Sequence, residues 1–379
     1  MRRALLLAVL VAAPASAAAQ ASIFGVRGLG IPQGPVSARA IGMAGSFSLL
    51  DGLSGTNPAA ITSVIGLTAG LNFFQDWRSS TTPSGTGSAS DDGFPYVLVV
   101  NRIKETPWFI GGSFGSYTDR DFGIVTVDST PVNGVPVTYR DSLSSKGGVS
   151  DFRLSVGLRQ GKAWSFGFGF HFITGSDRLS LRRTFGDTAF SPVVQRSELA
   201  YNAIGLSLGA VYHPNEKYVL AAVVRRDGQM GVDRDSTHAF DLTLPWSFAG
   251  AGQYKISQRA TVNAQVEYST WSDMSSELES VGGTGSNNAL RAALGVELAT
   301  NHLNPAKFPL RLGVRSAQLP FPLAAGAHPK ETAVSTGTGF RFGKGRAAAD
   351  FALQRVWRSE DGGFSEKAWI LTMGVTLKP

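Results

Sequence analysis

The chain has 379 residues, 45 of them glycine, no cysteine, 17% charged residues and a formal net charge of +7. Without cysteine there is no disulfide framework and no cysteine-linked lipid anchor. The basic residues are single and dispersed, lacking the clustered stripe with aromatic interleaving that nucleic-acid binding needs.

From the first residue, Arg2 and Arg3 precede an apolar run from Ala4 to Ala13 and small residues with Ala17 and Ala19 in an A-x-A pattern. This reads as a cleaved signal peptide over residues 1–19, since the run is too short to span a bilayer as a helix. Residues 20–64 are rich in Ala, Gly and Ser, include Pro32, Pro35 and Pro58, and show no sustained period of two. The apolar residues between Ala38 and Leu50 would be wasted in a disordered tail, so this stretch is expected to fill space inside a larger body.

From about residue 65 onward, apolar residues alternate with small or polar ones in segments of about ten, the pattern of membrane-crossing strands. The clearest case sets Trp164, Phe166, Phe168, Phe170 and Phe172 on one face against Ser165, Gly167, Gly169 and His171 on the other. The same alternation recurs from Val262 to Tyr268, from Leu290 to Leu298 and from Trp369 to Leu377. Segments near 65–77, 93–103, 107–117, 149–160, 163–176, 197–212 and 217–227 are expected strands. Seven more are expected near 240–254, 259–272, 288–300, 309–317, 331–342, 346–358 and 366–378, making fourteen.

Short turns at Lys104, Gly161, Asn215, Ser257, Asn304 and Lys344 alternate with longer polar loops such as Thr118 to Gly148 and Ser272 to Asn287. That alternation separates a periplasmic rim from an external one. Trp77, Trp108, Trp246, Trp271, Trp357 and Trp369 stand near strand ends and are expected to form interfacial girdles. The fold class is therefore all-β, a transmembrane antiparallel β-barrel of about fourteen strands over residues 65–379, with residues 20–64 as an N-terminal hatch in the lumen.

If the apolar faces meet lipid, the opposite faces put Arg153, Arg159, Arg291, Arg311, Arg315 and Arg341 in the lumen with Asp151, Glu267, Glu297 and Asp350, where charge is admissible. These arginines either hold a substrate carboxylate or brace the barrel and hatch through ion pairs. Ile23, Phe24, Ile41, Met43 and Phe47 are candidates to line an apolar pocket, with Asn57 and Pro58 fixing a turn that must move for passage. No catalytic site is expected. Gly205-Leu206-Ser207-Leu208-Gly209 and Gly111-Gly112-Ser113-Phe114-Gly115 both match G-x-S-x-G, but both lie inside strands, whereas a nucleophile elbow needs a strand-to-helix turn. The histidines at 171, 213, 238, 302 and 328 have no metal-ligand spacing. No metal or cofactor is expected.

The segment from Ser37 to Phe47 followed by Asn57-Pro58-Ala59 resembles the hatch of the outer-membrane long-chain fatty-acid and hydrocarbon transporter family, FadL/TodX. Further matches are Leu244-Pro245-Trp246 through Tyr254, Tyr268 and Trp271-Ser272, and Arg311-Leu312-Gly313 through Leu319-Pro320-Phe321. The resemblance implies a fourteen-stranded barrel closed by its hatch. It implies passive uptake of hydrophobic compounds and a lateral opening at a kink in the third strand, here at Gly111 and Gly112. It makes Phe24, Ile41, Met43, Phe47, Arg153, Arg311 and Arg315 candidate substrate contacts, and Asn57, Pro58 and Ala59 the candidate gate.

The expected location is the cell outer membrane, with membrane lipid and a hydrophobic small molecule as partners and no nucleic acid. The sequence ends in Leu377-Lys378-Pro379 rather than in the terminal aromatic that many outer-membrane barrels present to their assembly machinery, a departure that bears on the assembly signal. Because a similar hatch-like opening occurs in PorV-type barrels, a scaffold or shuttle that binds a secreted protein is the alternative. A general aqueous porin is a third reading.

Overall fold

In the computed structural model of the chain, the period-two segments form strands that hydrogen-bond edge to edge into a closed ring. Residues 22–34, 36–83, 85–132, 135–187, 189–301 and 307–378 are described. The expected signal peptide and the turn at Asn304 lie outside them. The ring strands are β1 (Thr68–Thr82), β2 (Gly85–Arg102), β3 (Trp108–Asp119), β4 (Val135–Gln160), β5 (Trp164–Phe185), β6 (Val193–Tyr212) and β7 (Tyr218–Asp227). They continue as β8 (Trp246–Lys255), β9 (Ala260–Ser269), β10 (Ala289–Leu298), β11 (Leu310–Gln318), β12 (Lys330–Phe342), β13 (Ala347–Glu360) and β14 (Phe364–Leu377). Neighbours pair antiparallel throughout, and β14 closes on β1 with Ser365 opposite Thr81 and Leu377 opposite Ala69. Fourteen strands are thus both expected and found.

The alternation decides which way each side chain points. On β5, Trp164, Phe166, Phe168 and Phe172 are exposed on the outside, while Ser165 and His171 are buried inside. On β14, Trp369, Leu371 and Met373 face out and Thr372 and Thr376 face in. An outer surface covered with large apolar side chains would be unstable in water over so wide an area, and it is the belt a bilayer requires. No helix among the described residues is long and apolar enough to cross a membrane. Trp108 and Trp164 stand at one rim of the belt, Trp77, Trp246, Trp357 and Trp369 at the other, all exposed.

Three sequence expectations are corrected. Trp271 is 5% exposed and does not join the girdle. β9 stops at Ser269, and a 3-10 turn (Trp271–Met274) followed by a short helix (Ser275–Ser280) folds inward, stacking Trp271 edge-on against Phe321. The stretch from Thr118 to Gly148 is mostly strand rather than loop, because Phe122–Val132 pairs with the first half of β4 as a hairpin. The sequence between them is Asn133-Gly134, a strong hairpin signal. The strand expected over 240–254 is split: Thr237–Thr243 pairs with Gln229–Arg234 in a hairpin on the long-loop side, and the ring strand starts only at Trp246. Pro245, which cannot donate to a ladder, stands at the break.

Residues 22–64 run inside the ring. A helical turn, α1 (Ala38–Ile41), is capped by the Ser37 hydroxyl, which accepts from the Ala40 amide at 3.1 Å and donates to Asp51. The Arg39 guanidinium on that turn clasps Glu297 of β10 with bonds of 3.1 and 2.8 Å. Further on, Asn57 accepts from the Ala59 amide at 3.0 Å and donates to the Leu49 carbonyl at 2.9 Å, so its side chain shapes the turn into a second short helix (Ala60–Ser63). Two glycines let this backbone lie directly on the wall: a Cβ at Gly167 of β5 would overlap the Pro58–Ala59 peptide, and one at Gly313 of β11 would overlap Met43 and Ala44.

Candidate functional site

Above this internal segment the lumen holds a cavity of about 690 Å³. Its apolar lining includes Ile41, Leu49, Phe74, Phe94 and Ile370. Its end on the long-loop side is covered by a buried cluster in which Leu29, Tyr117, Met230, Leu244, Trp271 and Phe321 meet, drawn from the N-terminal segment and from several of the longer connections.

Among the described residues, many charged side chains on the inward faces are tied into networks, three of which bear on the internal segment and the cavity. In the first, Asp151 of β4 receives Arg225 Nη1 at 2.8 Å, Arg153 Nη2 at 3.3 Å and the His171 ring at 2.9 Å, while Arg225 also bonds Asp227, which accepts from the Tyr117 hydroxyl at 3.0 Å. In the second, Arg315 and Arg358 share Glu331 at 2.7 and 2.8 Å, and Arg358 reaches Glu366 at 2.5 Å. Glu366 also accepts from the Ser22 hydroxyl at 2.8 Å and the Ile23 amide at 3.2 Å, fastening the start of the internal segment to β14. In the third, Arg311 joins Glu297 at 2.7 Å and Asp350 at 2.6 Å, next to Arg39. Buried pairs of this kind are costly to break because one partner is left as an uncompensated charge.

Of the residues singled out from sequence, Ile41, Arg153 and Arg315 line the cavity, as do Asp151, Glu267, Arg291 and Trp271. Arg311 sits in the third network, away from the lining. Phe24 packs with Ile31 and Leu319, and Met43 and Phe47 pack with Leu49 and Leu50. Asn57, Pro58 and Ala59 lie on the floor against β5 and β6. Arg159 bonds the Thr62 carbonyl at the lower rim, Arg291 approaches Glu267 at 3.9 Å, and Arg341 is exposed at the end of β12 rather than inside. Sequence reading missed Arg225, Asp227, Arg358, Glu366, Asp76 and Arg78. The signal was present: Asp76-Trp77-Arg78 and Asp151-Phe152-Arg153 each flank an outward aromatic with two opposite charges on one inward face.

Among the described residues, the ladder of the wall is interrupted between β2 and β3. Gly111 and Gly112 pair regularly with both neighbours, so the irregularity expected there lies further along β3, where the ladder to β4 shifts between Ser116 and Thr118. The ladder from β2 to β3 ends at Tyr96 and Gly115. Pro95, with no amide hydrogen, is the next residue of β2. Beyond it β2 pairs only with β1, and the edge of β3 is taken instead by Ile31 and Pro32 of the internal segment, opposite Asp119 and Thr118. Phe94, Pro95, Ser116 and Thr118 line the cavity from the two sides of this gap.

One further constellation is present. His171 connects Asp151 to the Ser207 hydroxyl, 2.9 Å away, within the G-x-S-x-G segment. Ser207 and His171 are both buried within strands and neither lines the cavity, and Arg153 Nε points at the same His171 nitrogen that faces Asp151. The trio braces the wall between β4, β5 and β6.

No protein-family model and no curated protein matches this sequence. Solved structures do. A Pseudomonas aeruginosa FadL homologue superposes with a TM-score of 0.63 at 12% identity, covering 92% of this chain and 99% of that one. The P. putida toluene transporter TodX gives 0.57 at 14%, covering 91% and 97%, and the CymD monoaromatic hydrocarbon channel 0.56 at 15%, covering 95% and 99%. At these identities the likeness is one of fold: this chain has the barrel architecture of the FadL and TodX structures over nearly its whole length.

Proposed function

We propose that the protein is an outer-membrane channel for passive uptake of hydrophobic compounds, long-chain fatty acids or hydrocarbons, exported by residues 1–19 and closed by residues 20–64 as a hatch. The observation that carries this reading is the cavity between hatch and external cap, which extends to the gap between β2 and β3. A molecule enters through the external loops, is held in the cavity and leaves sideways through that gap once Ile31 and Pro32 withdraw. No bond is made or broken. Affinity comes from removing hydrocarbon from water, about 0.8 kcal/mol per CH₂.

Ile41 contacts the cargo directly. Arg153 and Arg315, already neutralised by Asp151 and Glu331, present their aliphatic stems to it. Phe24, Met43, Phe47 and Arg311 hold the hatch in register, and Asn57, Pro58 and Ala59 form the hinge that must move. The filled lumen and the covered mouth support a small-molecule path over a protein-binding rim. The fold shared with hydrocarbon channels points the same way.

The test is protein-dependent uptake of labelled hydrophobic compounds in cells with and without the gene. Loss of uptake on deletion, restored by the wild-type gene and altered by Asn57→Ala, is the expected result. Undiminished uptake in a strain without other such channels would remove the reading.

A further inference from the structure

The gap in the wall carries a one-sided charge pattern. Asp91 and Asp92 lie on the part of β2 that has lost its β3 partner, Asp119 ends β3, Asp121 follows it, and Asp76 faces them from β1; all five line the cavity. They are close-set: the Asp91 amide donates to Asp76 at 3.1 Å, the Asp121 amide to Asp119 at 3.0 Å, and Asp119, Asp76 and Asp121 all act electrostatically on Asp91. The cations nearby offset them only in part: Arg78 neutralises Asp76 and Lys146 acts on Asp121, which leaves the acidic residues in excess. Arg78 is bound to Asp76 at 2.7 Å, the Arg120 guanidinium is turned away to Asp177 and Tyr201, and Lys146 is exposed.

A second observation is independent of the carboxylates. Arg78 Nη1 and Thr118 Oγ1 have no protein partner, although Arg78 is 7% and Thr118 1% exposed, and both residues line the cavity at the gap. Buried polar atoms left unpaired are costly, so these two await a polar atom of a ligand. An uncharged acceptor suits them better than a carboxylate, because the charge of Arg78 is already met by Asp76 and an anion would face the remaining half-buried aspartates.

We propose that the gap between β2 and β3 is a charge filter, which passes uncharged hydrophobic molecules, including those with an ester, ketone or hydroxyl group, and rejects carboxylate amphiphiles. This rests on the channel reading above and narrows its cargo to neutral compounds.

The experiment compares protein-dependent initial uptake of labelled methyl dodecanoate and labelled dodecanoate at pH 8 in a deletion strain carrying the full-length gene. The ester is expected to enter about tenfold faster than the anion, equivalent to about 1.4 kcal/mol. Replacing the four outer carboxylates together (Asp91→Asn, Asp92→Asn, Asp119→Asn and Asp121→Asn) is expected to raise dodecanoate uptake about threefold or more, the factor that removes half of the roughly 1.4 kcal/mol, with ester uptake unchanged. Equal entry of ester and anion through the wild-type protein, or an unchanged ratio in the variant, overturns the filter and leaves the channel standing. If neither compound enters faster than in cells without the gene, the channel reading fails and the filter with it. Should the fourfold variant not assemble, Asp92→Lys at an exposed position serves the same purpose: it must shift the ratio toward the anion, and an unchanged ratio overturns the proposal.

Discussion

Individual inward residues are governed by two demands, charge neutrality and room. Asp151 meets the first by joining Arg153, Arg225 and His171. Asp151→Leu would leave two buried guanidinium groups without their common partner, at a cost of about 3–5 kcal/mol. Denaturant unfolding in detergent should show that loss, whereas Arg178→Ala, on an exposed pair with Glu198, should change stability by less than about 1 kcal/mol. Gly167 meets the second demand. Gly167→Val would push against the peptide between Pro58 and Ala59, costing about 1–3 kcal/mol of overpacking. The ring, held by its own ladders, should still assemble. The expected outcome is higher ion conductance in planar bilayers as the internal segment is displaced, and wild-type conductance would count against the close approach.

Among the elements, the internal segment has few ladder bonds of its own, and its hold on the wall is local. Its first residues depend on Glu366, which binds Ser22, Ile23, Ser80 and Arg358. Glu366→Ala should release residues 22–32 selectively, seen as faster amide hydrogen exchange there with the β14 amides still protected. The pairing of Ile31 and Pro32 with β3 offers a cleaner control, since the chain has no cysteine of its own. A disulfide between Pro32→Cys and Thr118→Cys is expected to lower uptake, with recovery on reduction; uptake that ignores the cross-link would show that these residues need not move. The strands themselves were legible because outward and inward residues obey a period of two. Their ends were not: the hairpin before β4 and the split at Pro245 depend on which neighbour each extended segment finds beyond the rim.

Over the whole molecule, the apolar belt sets the solvent. Phe168, 43% exposed in mid-strand, faces outward. Phe168→Arg should destabilise folding into phospholipid vesicles by about 2–4 kcal/mol, measured by reversible unfolding, while the outward rim change Trp108→Arg should cost much less. Equal costs at both positions would be inconsistent with a bilayer around this belt.

Strand number, closure and the outward face of each strand were determined by the sequence alone, because a strand cannot move its apolar side chains to the other face without slipping its register. The inward placement of Arg153, Arg311 and Arg315 followed from the same rule. Tertiary structure decided everything that joins residues distant in the chain. It tied Arg39 to Glu297 and Ser22 to Glu366, drew Trp271 in from the girdle, and moved the irregularity of β3 from Gly111 and Gly112 to Tyr117. It also brought Asp76, Asp91 and Asp119 together around one gap. Periodicity orients a side chain within its own strand, but its partners are set by ring closure and by how the internal segment lies on the wall.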